Sequence, residues 1–118
     1  MIELTKNFSR EELECPCCGA CEMSGELLAD LQRIRDVIGR PFKITSGYRC
    51  KDHNTEIGGS PTSRHMSGEA VDINVVGWNS LDLHDLIDEF TSHVSSGVGI
   101  YRTYVHFDVR DKRTMWIR

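Results

Sequence analysis

The chain reads as an α+β domain, a small antiparallel sheet with helices packed on it. Three observations predict this. Short segments such as Phe42–Thr45, Ala70–Val75 and Tyr104–Val109 alternate apolar with polar residues, the period-two pattern of a half-buried strand. Two longer segments repeat apolar residues at intervals of three and four, the spacing that gathers side chains on one helix face. The order of these segments suits a sheet with helices laid over one side.

The elements follow in order. Ser9-Arg10-Glu11-Glu12 has the form of a capping box, so a short helix starts at Ser9. Pro16 and Gly19 end it in a Cys-rich turn. Ser24 caps the next helix, whose apolar face is Leu27, Leu28, Leu31, Ile34, Val37 and Ile38, and Gly39 with Pro41 stops it. Phe42–Thr45 is a strand closed by Ser46-Gly47-Tyr48-Arg49, and residues 50–57 form a helical turn. Residues 58–63, Gly-Gly-Ser-Pro-Thr-Ser, are a loop by composition. In Ala70–Val75 the residues Val71, Ile73 and Val75 share one face, and Asp72 and Asn74 the other. Ser80 is the expected cap of a helix with a buried stripe of Leu83, Leu86, Ile87 and Phe90. Residues 97–101 and 104–109 pair around Arg102-Thr103, and Met115–Ile117 adds an edge strand.

The 118 residues make one domain over 1–118, long enough to bury a core. Hydrophobic content of 39% and charged content of 27% are ordinary for a globular protein. The net charge of -4 and the absence of a Lys/Arg run argue against nucleic acid as partner. No apolar run approaches the roughly 20 residues of a membrane span, so no membrane partner is expected. Met1–Lys6 carries no signal-peptide core. Synthesis in a cytoplasm and a monomeric state are therefore the expectation.

Five cysteines are present, four of them within residues 15–21. Cys15, Cys18 and Cys21 with Cys50 would supply four thiolates for a structural metal, leaving Cys17 over. Reduced thiols in a tight turn, or a disulfide, are the other readings. An export signal, which would favour a disulfide, is not seen.

The chemistry concentrates in two places. Asp72 lies inside an apolar strand, where a carboxylate is costly unless paired or metal-bound. Alternation sets Tyr104, His106 and Asp108 on one face of the later strand. If the two strands are neighbours, Asp72 and His106 converge. His65 can join them from the preceding loop, because Ser67, Gly68 and Ala70 allow a tight turn. Neutral imidazoles with a carboxylate form the donor set of a zinc that keeps one position open for water.

Ser63-x-His65-x-x-Gly68-x-Ala70-x-Asp72, followed by Val105-His106-Phe107-Asp108-Val109, resembles the zinc D-alanyl-D-alanine carboxypeptidase family (peptidase family M15). Phage endolysins that are L-alanyl-D-glutamate peptidases are among its members. Ile44-Thr45-Ser46-Gly47-Tyr48-Arg49-Cys50, His53-Asn54 and Gly58-Gly59 match as well, so the likeness runs from about Phe8 to Val109. The resemblance implies a fold like that of these peptidases and of hedgehog domains, with zinc held by His65, Asp72 and His106. It implies that Arg49 holds a carboxylate or carbonyl of the substrate, a task suited to its fork geometry, with Ser63, Tyr104 and His53 as further substrate contacts. Related peptidases with a Glu-x-x-His motif place their base three residues before the last ligand. Here that residue is Thr103, which leaves Asp108 either as the base or as the group that orients a ligand.

Blander readings stand beside these. His84, off its helix's apolar stripe, is expected at the surface, and His93 reads as an ordinary surface or core residue. Arg49 has a structural ion pair as its alternative, and Asn54 a turn cap. Glu69 is expected to be exposed. For Trp78 and Trp116, burial or a plain surface position outweighs a groove lining. Arg110-Asp111-Lys112-Arg113 is expected to be a solvated turn. The function implied is a zinc metallopeptidase cutting bacterial peptidoglycan peptides, at a D-Ala-D-Ala terminus or an L-Ala-D-Glu bond. The biological setting implied is phage or prophage wall lysis, with the enzyme made in the host cytoplasm. The alternatives are a zinc-bearing binding module, as hedgehog domains are, and a structural phage tail domain.

Overall fold

Strand-forming and helix-forming segments fall close to where their periodicity puts them. The computed structural model describes residues 2–90 and 96–117, with the side chains of residues 89 and 90 excepted. Its order is β1 (Glu3–Thr5), β2 (Phe8–Ser9), α1 (Arg10–Leu13), α2 (Gly25–Ile38), β3 (Phe42–Ser46), α3 (Lys51–Glu56), a 3-10 turn (Arg64–Ser67), β4 (Ala70–Val75), α4 (Ser80–Phe90), β5 (Ser96–Ile100), β6 (Val105–Val109) and β7 (Thr114–Ile117). His93 and the side chain of Phe90 lie outside the described residues. None of the described helices is long and apolar enough to cross a membrane.

The main sheet has the order β3-β4-β6-β5-β7, and β1 and β2 form a separate antiparallel pair. β4 is antiparallel to both of its neighbours, β3 and β6. β7 is an edge strand, but it runs parallel to β5, so the sheet is mixed. One face carries Val71, Ile73 and Val75 of β4 and Val105, Phe107 and Val109 of β6, in one core with Leu27, Leu31 and Ile34 of α2 and Leu83 and Ile87 of α4. The period of two sends Asp72, His106 and Asp108 to the opposite face. Burying the apolar face is what fixes the register that brings these polar residues side by side.

The helix ends show why their sequences stop and start there. At α1, the Ser9 N–H and Oγ both donate to Glu12 Oε1, at 3.1 and 3.2 Å. Ser24 Oγ accepts from Leu27 N–H at 3.3 Å, and Gly39 closes α2 in the left-handed conformation. α4 is capped one residue earlier than expected. Asn79 Oδ1 accepts from Asp82 N–H at 2.8 Å, while Ser80 Oγ donates to Arg102 O at 3.3 Å. Asn and Ser are comparable caps, and here the helix begins one residue sooner.

Two burial expectations fail in the helices. Val37 is 54% exposed, because Leu27, Leu31 and Ile34 already form the buried stripe of α2. His84 is buried, with only 5% exposure. It lies three residues from Ile87 on the margin of the α4 stripe, and one helix turn carries burial that far round.

Gly68 is required rather than merely tolerated. Its φ is +71°, and a Cβ would fall 1.8 Å from Glu22 O. Its carbonyl accepts from Ser24 N–H at 2.8 Å, which ties the end of the 3-10 turn to the start of α2. Gly39 has a similar φ of +70° but open space around it. Gly39→Ala should therefore cost about 1–2 kcal/mol from backbone strain alone. Gly68→Ala adds a backbone collision and should cost about 3 kcal/mol or more. Thermal unfolding of both variants checks this: Gly68→Ala should fall well below Gly39→Ala, and equal melting temperatures would contradict it.

Candidate metal centre

Three side chains meet on the polar face of the sheet. The β4–β6 register sets Asp72 directly opposite His106 and Ala70 opposite Asp108. His65 arrives from the 3-10 turn, where Ser63 Oγ accepts from His65 N–H at 3.3 Å and Gly68 turns the chain back into β4. Arg49 N–H donates to His65 O at 3.2 Å, fastening that turn to the segment after β3.

His65 Nε2 lies 3.2 Å and His106 Nδ1 2.9 Å from the same oxygen, Asp72 Oδ1. One ligand atom from each residue lies within 4.8 Å of the other two. The nitrogens turned away from Asp72 have partners of their own. His65 Nδ1 is 2.8 Å from Gly47 O, a carbonyl that can only accept, so this nitrogen carries the proton. His106 Nε2 is 2.7 Å from Asp108 Oδ2. A neutral imidazole has one N–H. With both protons spent outward, two bare nitrogens face a carboxylate, and something positive has to lie between them. Extra protons on both rings would serve, and so would one divalent cation. Outward N–H groups held by a carbonyl and a carboxylate are the usual outer support of metal-bound histidines, so the donor set fits zinc.

Burial works to raise the Asp72 pKa, but hydrogen bonds and charge from His106 and His65 outweigh it and hold the carboxyl at about 2. Burial also acts on Asp108, where Arg110 and His106 prevail and again hold it at about 2. Asp108 has 0% exposure. Arg110 grips it with two nitrogens, Nε reaching Oδ1 at 2.7 Å. Arg110 is therefore no part of a solvated turn. It neutralises the carboxylate behind His106 and stacks over Trp116, 5.1 Å from the ring centroid.

The site floors an open cleft of about 710 Å³, whose walls include Arg49, Arg64, Arg110, Tyr101, Tyr104 and Trp116. Arg49 is held on three sides. Nε donates to Ser46 Oγ at 3.0 Å, Nη1 to Asn54 Oδ1 at 3.3 Å and Nη2 to Asp72 Oδ2 at 3.3 Å. Asn54 is buried and also donates to Ser60 O at 2.8 Å, so it orders the cleft rim rather than capping a turn. Tyr104 stacks on Tyr101 with centroids 4.6 Å apart. Burial, then the Asp72 charge, push its phenol up, so it stays protonated and able to donate. Trp116 is a cleft wall, its Nε1 donating to Tyr101 Oη at 3.1 Å. Gly99 makes room for it, since a Cβ there would meet the indole at 2.3 Å. Ser63 borders the cleft, but its hydroxyl is engaged in capping. His53 is not among the cleft residues. Glu69, expected to be exposed, is half-buried and accepts from Ser67 Oγ at 2.6 Å. Trp78 is half-buried and packs against the core.

Alternation and motif context reach His65, Asp72 and His106. They do not reach Arg110 or Trp116, and they reach Asn54 only as part of the His53-Asn54 match, without its role. The only sequence cue for Arg110 is its position two after Asp108, the same-face spacing of a strand. The cysteines also differ from expectation. Cys15, Cys17, Cys18 and Cys50 come together, whereas Cys21 packs against the core.

Arg110→Ala would leave Asp108 buried with the His106 ring as its remaining side-chain partner. A loss of at least ~2 kcal/mol is expected from stranding that carboxylate. Urea denaturation measures it, and an unshifted midpoint would contradict the pairing.

Compared with models of known protein families, residues 6–108 match the one described as Peptidase M15. No curated protein matches the chain.

Proposed function

This chain belongs to the Peptidase M15 family, and from that premise we propose that it is a zinc metallopeptidase hydrolysing the stem peptides of bacterial peptidoglycan. The observation that carries the proposal is the outward commitment of both imidazole protons, to Gly47 O and to Asp108, at the floor of an open cleft. His65 Nε2, His106 Nδ1 and Asp72 would hold the metal. Zinc bound there supplies a Lewis acid and makes its water acidic enough to ionise near neutral pH.

The remaining residues have tasks of their own. Arg49 holds a carboxylate or polarised carbonyl of the peptide, pre-oriented by Ser46 and Asn54. Tyr104 donates a hydrogen bond from the cleft wall. Arg64 adds positive charge to the cleft, which suits a substrate rich in carboxylates, while the charge of Arg110 is spent on Asp108. We assign Asp108 to orienting His106 rather than to proton transfer. What supports this is its complete burial and its saturation by Arg110 and His106. The cut bond, D-Ala-D-Ala or L-Ala-D-Glu, and a setting in phage or prophage lysis rest on motif resemblance.

A non-catalytic binding module is the second reading. Thr103, three residues before His106, offers no carboxylate, and its carbonyl accepts from Asn74 Nδ2 at 3.0 Å. Turnover separates the two. Zinc-loaded protein incubated with defined muropeptides should release D-alanine or expose new D-glutamyl amino termini. One equivalent of zinc at His65, Asp72 and His106 with no cleavage would favour the binding module. Arg49→Ala should keep its metal and lose about 10–100-fold in kcat/KM, the worth of a charge-assisted hydrogen bond. Unchanged kinetics would remove Arg49 from the site.

A further inference from the structure

Outside the cleft the described residues hold a second dense group of metal-ligating atoms. Cys15, buried, ends the segment after α1, and the turn Cys15-Pro16-Cys17-Cys18-Gly19 folds back on itself. Gly19 N–H donates to Cys15 O and Cys15 N–H to Ala20 O, each at 2.8 Å. Cys50 stands at the N-terminus of α3. The sulfur atoms of Cys15, Cys17, Cys18 and Cys50 all lie within 4.8 Å of one another. Cys15 Sγ is 3.7 Å from Cys17 Sγ, and Cys17 Sγ is 3.2 Å from Cys50 Sγ. Four sulfurs at ~2.3 Å from a tetrahedral zinc are separated by ~3.8 Å, so the cluster already has close to the span of that shell.

Two backbone donors point at these sulfurs. Cys50 N–H reaches Cys15 Sγ at 3.5 Å, and His53 N–H reaches Cys50 Sγ at 3.3 Å. N–H groups aimed at sulfur stabilise the thiolate form that a metal needs. Cys21 is left out because it packs against the hydrophobic core.

We propose that Cys15, Cys17, Cys18 and Cys50 bind a tetrahedral zinc ion that clamps the N-terminal turn to the segment bearing Arg49. With no position left for water, the site is structural, not catalytic. Each thiol gives up its proton to solvent as it coordinates. The clamp bears on the cleft through short links. Tyr48 N–H donates to Leu13 O at 2.8 Å, and a Cβ on Gly47 would lie 2.5 Å from that same oxygen. Residues 13–18 thus run against 47–50, the stretch that supplies both the Gly47 carbonyl for His65 and the guanidinium of Arg49.

Cobalt(II) exchanged into the reduced full-length protein tests this. A sulfur-to-cobalt charge-transfer absorption reports thiolate ligands alone, so it is independent of whether His65, Asp72 and His106 hold metal or the protein cleaves peptides. The wild type should show the band. Cys21→Ser should keep it whole, and Cys17→Ser should lose about a quarter of its intensity, one thiolate of four. Circular dichroism on each variant separates loss of a ligand from loss of the fold. Counting thiols in protein unfolded with chelator should find all five cysteines free. No band in the reduced wild type would overturn the proposal. So would a band weakened by Cys21→Ser and untouched by Cys17→Ser. Thiol counting that finds Cys17 and Cys50 joined as a disulfide in the protein as isolated would overturn it as well.

Discussion

A carboxylate buried in the middle of a sheet has to be neutralised, and much of this molecule is organised around how that is done for Asp72. The residue is 4% exposed on an interior strand. His106 faces it across the β4–β6 pair, His65 reaches it from the 3-10 turn, and Arg49 takes its second oxygen. Removing any of these leaves a buried charge short of a partner, which is why such groups are costly to alter singly. Gly68, Ser63 and the Arg49-to-His65 backbone bond together deliver His65 to that point.

Beyond the three central residues lies a ring that fixes their orientation. Gly47 O and Asp108 select which nitrogen of each imidazole faces inward. Asp108 is held in turn by Arg110, and Arg110 lies against Trp116 on the edge strand. The parallel pairing of β7 with β5 sets Trp116 beside Gly99, and Gly99 opposite His106 on β6. An edge strand thereby becomes a wall of the cleft.

Much of this was legible in the sequence where it obeyed short-range rules. Alternation in Ala70–Val75 separated Asp72 from the core-facing valines, and the same rule set His106 and Asp108 together. The caps at Ser9, Ser24 and Gly39 follow local chemistry. What escaped depends on distant pairings. Nothing within Thr114–Ile117 says that it will lie parallel to β5, so neither the mixed sheet nor the position of Trp116 could be read. The partner of Arg110 is two residues away, yet its burial depends on that same strand. His53-Asn54 belongs to the matched motif, but the role of Asn54 shows only once Ser60 and Arg49 close around it. Spacing alone chose Cys21 over Cys17, because the side-chain directions in a tight turn are set by its backbone and not by residue count.

The central claim is that His65 Nε2, His106 Nδ1 and an oxygen of Asp72 surround one divalent cation. Anomalous diffraction from crystals grown with zinc, recorded on either side of the zinc absorption edge, addresses it most directly. The account predicts a peak about 2.0–2.2 Å from those three atoms. A density-free centre, or a metal bound instead through His106 Nε2 with the Asp108 contact broken, would contradict it.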